Sequence, residues 1–151
     1  MDKISGIHSP QRIWDVFQSR MYESDSRNVM FETQDNHSMM GLMKRTLDNA
    51  SSCYQIAATE KHKHEGMLTK STAFLYEDIM HKFAFKCMDS AKFLANAYLK
   101  INSNEKAIHY AAISQKFLER MGLSVIEMES YRRELSTIRK SAELKLSKRS
   151  G

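Results

Sequence analysis

The sequence predicts an all-α fold, an antiparallel bundle of about five helices in a single domain over residues 9–146. Three observations predict it. The chain has 151 residues but only one proline and five glycines, too little punctuation for a fold of strands and turns. Apolar residues make up 42% and charged residues 27%, an ordinary balance for a globular domain with a real core. The apolar positions recur in threes and fours along five separate segments, the spacing of helices packed on one face.

The first helix has a clear start. Ser9 suits the N-cap and Pro10 the first helical position, after which Ile13, Trp14, Phe17 and Met21 face inward. The only tryptophan reads as a core anchor. Residues 1–8 read as a flexible N-terminus with no apolar targeting segment, and 23–28 (ESDSRN) as a linker. A second helix begins near Asp35 or Ser38. Its seam is Met43, Leu47, Ala50, Tyr54 and Ala57, and it is expected to fade over 60–66, with Gly66 ending it.

The third helix is the longest. Thr69 or Ser71 caps it, and Tyr76, Met80, Phe83, Cys87, Ala91, Leu94 and Tyr98 form one stripe. Unbroken over 71–100 it would span roughly 45 Å. Residues 101–104 end it, and Ser103 or Asn104 opens a fourth helix with Ala107, Ile108, Ala111, Ile113, Phe117 and Met121 apolar and Gly122 as C-cap. Ser124 with Glu127 makes a capping-box pattern for a fifth helix, whose seam is Met128, Tyr131, Leu135, Ile138 and Ala142. That register reaches Lys145 and stops, so 147–151 read as a frayed basic tail.

Between the third and fourth helices, small residues crowd both sides of the turn. Ala91, Ala95 and Ala97 precede it, and Ala107, Ala111, Ala112 and Ser114 follow. Small facing side chains bring helix axes toward the low end of the usual ~8–10 Å, and the short connection makes the helices antiparallel neighbours.

This stretch, about residues 88–118, resembles the tetratricopeptide repeat: Leu94-Ala95, Tyr98, Ala107, then small Ala111 and Ser114. Ala91 stands where that family carries tryptophan and Glu119 where it carries proline, and no second copy follows at a ~34-residue period. The resemblance therefore implies one central repeat-like hairpin, not a superhelical array. A second resemblance is to the C-terminal homology domain of the ALF family of transcription elongation scaffolds. It rests on Thr69-Lys70-Ser71, Tyr76-Glu77-Asp78-Ile79, Cys87-Met88, Ala107-Ile108 and Tyr110, over about 69–118. It implies a nuclear, all-helical dimerisation or scaffold domain. Neither resemblance brings catalytic residues.

Charge is unevenly placed. The net charge is +5, and residues 132–149 hold seven basic residues against two acidic, which accounts for all of it. Arg132, Arg133, Arg139, Lys140, Lys145, Lys148 and Arg149 form either a solvated basic face or a surface for an acidic partner or a phosphate backbone. Tyr131 is the only aromatic among them, so nucleic acid would be bound without base stacking and with strong salt dependence.

Little else points to chemistry. Cys53 and Cys87 have no metal-type spacing and read as free buried thiols in a reducing, intracellular compartment, nuclear or cytoplasmic. His62 and His64, between Glu60 and Glu65, read as a solvated loop, because helical positions two apart do not share a face. Glu77 and Asp78 are adjacent and point apart, and His81 and His109 have no pairing spacing. The sequons at Asn36 and Asn49 read as chance, and no stretch approaches the ~18 apolar residues of a membrane span. No metal, no cofactor, no membrane and no catalytic residue are expected. The expected function is protein–protein interaction, as a scaffold, adaptor or homodimer. It would rest on the hairpin residues Leu94, Tyr98, Ala107, Ala111 and Phe117, with a groove beside them or a Met-rich face as the contact. The alternative is a basic module holding nucleic acid through the last helix.

Overall fold

A computed structural model describes the backbone of residues 9–28 and 35–150 and the side chains of 9–22 and 39–148. Five helices follow one another: α1 (Pro10–Asn28), α2 (Asp35–Lys63), α3 (Lys70–Lys100), α4 (Asn104–Leu118) and α5 (Val125–Ser150). The expected flexible residues 1–8 lie outside the described residues.

The helices alternate in direction. Arg20 reaches Ser52 and Asn49 reaches Met21, so α1 and α2 are antiparallel. Lys61 meets Glu77 while Cys87 meets the Leu47 carbonyl, so α2 and α3 are antiparallel. Ser114 on Met88 and Arg132 beside Glu119 set the same sense for the next two pairs. Lys92 on Glu134 and Lys145 on the Leu99 carbonyl make α3 and α5 parallel. All four other helices touch α3, which is the axis of the bundle.

The stripe on α3 explains that position. Tyr76, Phe83, Cys87, Ala91, Leu94 and Tyr98 are buried, with Met80 half-buried at the edge. They meet Ile13 and Phe17 of α1, Leu47, Ala50, Cys53 and Ala57 of α2, Ala107, Ala111 and Phe117 of α4, and Leu135, Ile138 and Ala142 of α5, all in one core. α3 runs unbroken, capped by Thr69, whose Oγ1 accepts from the Thr72 N–H at 3.1 Å. At its other end Asn102 takes a left-handed φ of 61°. The Asn102 and Ser103 N–H groups donate to the carbonyls of Leu99 (3.1 Å) and Tyr98 (2.9 Å), a Schellman ending on a residue type that tolerates the conformation.

Several expectations are corrected. Residues 23–28 continue α1 instead of linking, since they hold no proline or glycine to stop the backbone ladder. α2 ends at Lys63, and Gly66 lies inside a 3-10 turn, Glu65–Met67, instead of capping the helix. α4 ends at Leu118 with Glu119 as its cap, and Gly122 serves the loop beyond. α5 continues through the expected tail to Ser150, where Lys148 and Arg149 suit the negative end of the helix dipole. In the hairpin, Ala91, Ala95, Ala107, Ala111 and Ser114 are buried, but Ala112 is exposed and Ala97 half-exposed.

Candidate interaction groove

The five hairpin residues on which the expected contact rests are packing residues. Leu94, Tyr98, Ala107, Ala111 and Phe117 are all buried, so they shape the hairpin and offer nothing to a ligand. The expected Met-rich face is not found among the described residues. Met88 and Met121 are buried, and Met21, Met40, Met43, Met80 and Met128 pack against the core; Met39 and Met67 alone are exposed. Methionine here fills gaps between helices.

The basic set is dispersed. Arg132 leans toward Glu119 at 4.0 Å and Arg139 toward Glu143 at 3.7 Å. Lys145 Nζ lies 3.4 Å from both the Leu99 carbonyl and Asn102 Oδ1, where it closes the C-terminus of α3. Arg133, Lys140 and Lys148 are exposed and form no ion pair among the described residues. The side chain of Arg149 lies outside them.

The other candidates are held in local contacts or buried. Burial raises the Cys53 thiol pKa and pushes that of Cys87 up to about 12, which favours the protonated thiol in both near neutral pH. Glu77 turns to Lys61 and His81, and Asp78 to Lys82. His62 is exposed, whereas His64 is half-buried with Nε2 3.3 Å from Glu60, so the expected solvated loop is in part packed helix end. No group of three metal-type side chains gathers among the described residues. No helix among them is long and apolar enough to cross a membrane.

What the surface does offer is a groove along the outer face of α3. Two clefts, of about 280 and 440 Å³, share Trp14, Asp78 and Lys82 as a common saddle. Pro10, Leu75 and Ile79 line the first. His81, Phe85, Lys86, Met121 and Leu123 line the second. One face of Trp14 belongs to the core, its ring 5.6 Å from Phe17 and 5.5 Å from Phe83. The rest is half-exposed toward the groove, so the ring is both anchor and lining. Lys82 and Lys86 lie over it at 5.9 and 5.7 Å, within cation–π range.

The far wall depends on Gly122. Its φ is 67°, and a Cβ there would sit 2.9 Å from His81 Cε1. Glycine lets the loop turn left-handed and rest directly on the imidazole, which places Met121 and Leu123 beside Phe85. Lys82 is paired with Asp78 at 3.1 Å. Lys86 has no carboxylate partner among the described residues, so the groove holds one uncompensated cation.

None of Phe85, Lys86, Leu123, Val125 or Ile126 was singled out by sequence pattern. The available signal was surplus: Phe74, Leu75, Phe85 and Phe93 are apolar positions on α3 outside its stripe, and all four are exposed. Comparison of the chain with protein-family models, with curated proteins and with solved structures finds no match in any of the three.

Proposed function

We propose that the chain is a non-enzymatic helical protein–protein interaction module, a scaffold, adaptor or dimerisation domain, and that the groove along α3 is its contact surface. The observation that carries this reading is the exposure of Phe85 (44%) and the partial exposure of Trp14 and Leu123 in one open groove beside an unpaired lysine. Apolar and aromatic side chains held open by a rigid bundle, with a cation at the rim, are the pattern of a helix-in-groove or peptide site. The close-packed α3–α4 hairpin supports it in the way the tetratricopeptide resemblance implies, as a stiff platform. The ALF resemblance would set such a module in a nuclear, transcription-related assembly.

The second reading is nucleic acid on α5. What favours it is the unpaired set Arg133, Lys140 and Lys148. What weighs against it is the diversion of Arg132, Arg139 and Lys145 into contacts with the protein itself.

Photo-crosslinking separates the two. A crosslinking amino acid at Phe85 and another at Lys140 are installed in the full chain, in cells that express it. Protein adducts from position 85 and none from position 140 are expected. Nucleic-acid adducts from position 140, with none from position 85, would overturn the first reading.

A further inference from the structure

We infer that the cleft between α4 and α5 is a binding site for one tetrahedral oxyanion, of the size and charge of phosphate or sulfate. The site is separate from the groove along α3 and goes beyond the interaction reading. Six residues line it: Ala111 and Gln115 on α4, and Arg132, Leu135, Ser136 and Arg139 on α5. Their spacing places them there. Ala111 and Gln115 are four apart, and the α5 residues stand at i, i+3, i+4 and i+7, so each set shares one face of its helix. Ala111 and Leu135 are buried and make an apolar floor. Ala111 and Ser136 are small enough to leave a gap, and the longer polar side chains of Gln115, Arg132 and Arg139 border it.

The donors around this gap are unsatisfied. Gln115 and Ser136 make no hydrogen bond among the described residues. Arg132 Nη2 lies 4.0 Å from Glu119 and Arg139 Nε 3.7 Å from Glu143, both too long for hydrogen bonds. These pairs are about half exposed, where ion pairs are weak, and each engages one nitrogen of a group with five N–H donors. The contacts that withhold Arg132 and Arg139 from a polymer therefore hold them at the cleft without satisfying them. Glu119 and Glu143 oppose an anion, but residues 132–149 carry seven basic residues against two acidic, so the field along α5 favours one.

Size and shape select the ligand. The space is about 40 Å³. At ~10–15 Å³ per water it holds roughly three waters, the bulk of one phosphate group and too little for a nucleoside or an aromatic ring. Arg132 and Arg139 are seven residues apart, ~10 Å along the axis, with Ser136 between them. A planar carboxylate pairs face to face with one guanidinium. A tetrahedral ion has oxygens for both arginines and for the hydroxyl and carboxamide as well.

The test is phosphorus NMR of inorganic phosphate titrated with the purified full chain, read as line width. Sulfate and chloride are added as competitors at equal ionic strength. Variants are Arg132→Gln, Arg139→Gln, Ser136→Leu and Lys140→Gln, each checked for helix content by circular dichroism. None of these side chains is buried, so the fold is expected to survive. The expected result is saturable broadening, one phosphate per chain, relieved by sulfate and not by chloride. Arg132→Gln and Arg139→Gln should each weaken it about tenfold, the worth of a charge-assisted hydrogen bond. Ser136→Leu fills the cleft without changing charge and should abolish it, whereas Lys140→Gln, outside the cleft, should leave it nearly unchanged. Glycerol 3-phosphate separates the sources: affinity equal to that of phosphate assigns the site to a monoester's phosphoryl group, and exclusion assigns it to the free ion. No saturable broadening, displacement by chloride as readily as by sulfate, indifference to Ser136→Leu, or an equal loss in Lys140→Gln would overturn the inference.

Discussion

The Ser114 hydroxyl, fully buried between α3 and α4, donates to the Met88 carbonyl at 2.8 Å. It is a polar group in the seam between the two helices, tolerated because its one proton finds an acceptor on the facing helix. Around it lie Ala91, Ala107 and Ala111, all buried, and no longer side chain fits between the backbones without moving them.

Close approach sets the first expectation. Ala111→Leu should cost about 1–3 kcal/mol by overpacking. Ser114→Ala removes the hydrogen bond with little change in shape and should cost about 1 kcal/mol. Urea unfolding monitored at Trp14 measures both. If Ala111→Leu is as stable as the native chain, the helices are not held at this separation.

Gly122 and His81 form the second pair. Gly122→Ala places a Cβ 2.9 Å from the imidazole and forces a non-glycine residue to φ 67°. The backbone part alone should cost about 1–2 kcal/mol. The double variant His81→Ala/Gly122→Ala should recover the steric part and not the backbone part, so the cycle should show coupling of about 0.5 kcal/mol or more. Additive losses would mean that the loop does not rest on His81.

Much of the fold was legible and the groove was not, for a physical reason. Burial on one helix face imposes a period of three to four on the residues that face the core, so Tyr76 through Tyr98 and Met128 through Ala142 announce themselves. Residues 23–28 misled because a polar run without proline or glycine is equally consistent with exposed helix and linker. The hairpin residues were legible as packing: Leu94 and Ala107 mark where helices meet, and the surface a partner would touch lies beside them. The groove joins Trp14, Phe85 and Leu123, which are far apart in sequence and share no spacing. Only the packing of α1 and the α4–α5 loop against α3 brings them together.

Alkaline pH should destabilise the protein. Burial raises the pKa of Cys53, Cys87 and Tyr110, and a hydrogen bond to Tyr98 leads the rise at Lys44. A raised folded-state value gives stability that is complete below the unfolded value and lost as pH climbs toward the folded one. For Cys87 that window runs from its ordinary 9 to about 12. The loss from this thiol alone should be on the order of 1 kcal/mol by about pH 10. Denaturant midpoints between about pH 7 and 11 test it. Cys87→Ala leaves a cavity and lowers the plateau, but it should flatten the alkaline slope. An unchanged slope in that variant would assign the loss elsewhere.

The two classes of basic residue on α5 should separate under charge reversal. Deleting 132–151 is uninformative, because it removes Leu135, Ile138 and Ala142 from the core and unfolds the molecule along with its charge. Arg133→Glu/Lys140→Glu/Lys148→Glu changes only exposed side chains and should leave stability within about 0.5 kcal/mol. Lys145→Glu instead sets a carboxylate against the Leu99 carbonyl at the negative end of α3, and should cost about 0.5–1 kcal/mol at low salt and less at high salt. If α5 holds nucleic acid, the triple variant should lower affinity for a single-stranded oligonucleotide and flatten the dependence of log affinity on log salt by roughly two to three charges, while Lys145→Glu acts mainly through stability. If α5 only solvates the bundle, native and triple-variant chains should bind the oligonucleotide equally weakly. Fluorescence anisotropy across a salt series, paired with urea unfolding of the same samples, decides which role Arg133, Lys140 and Lys148 play.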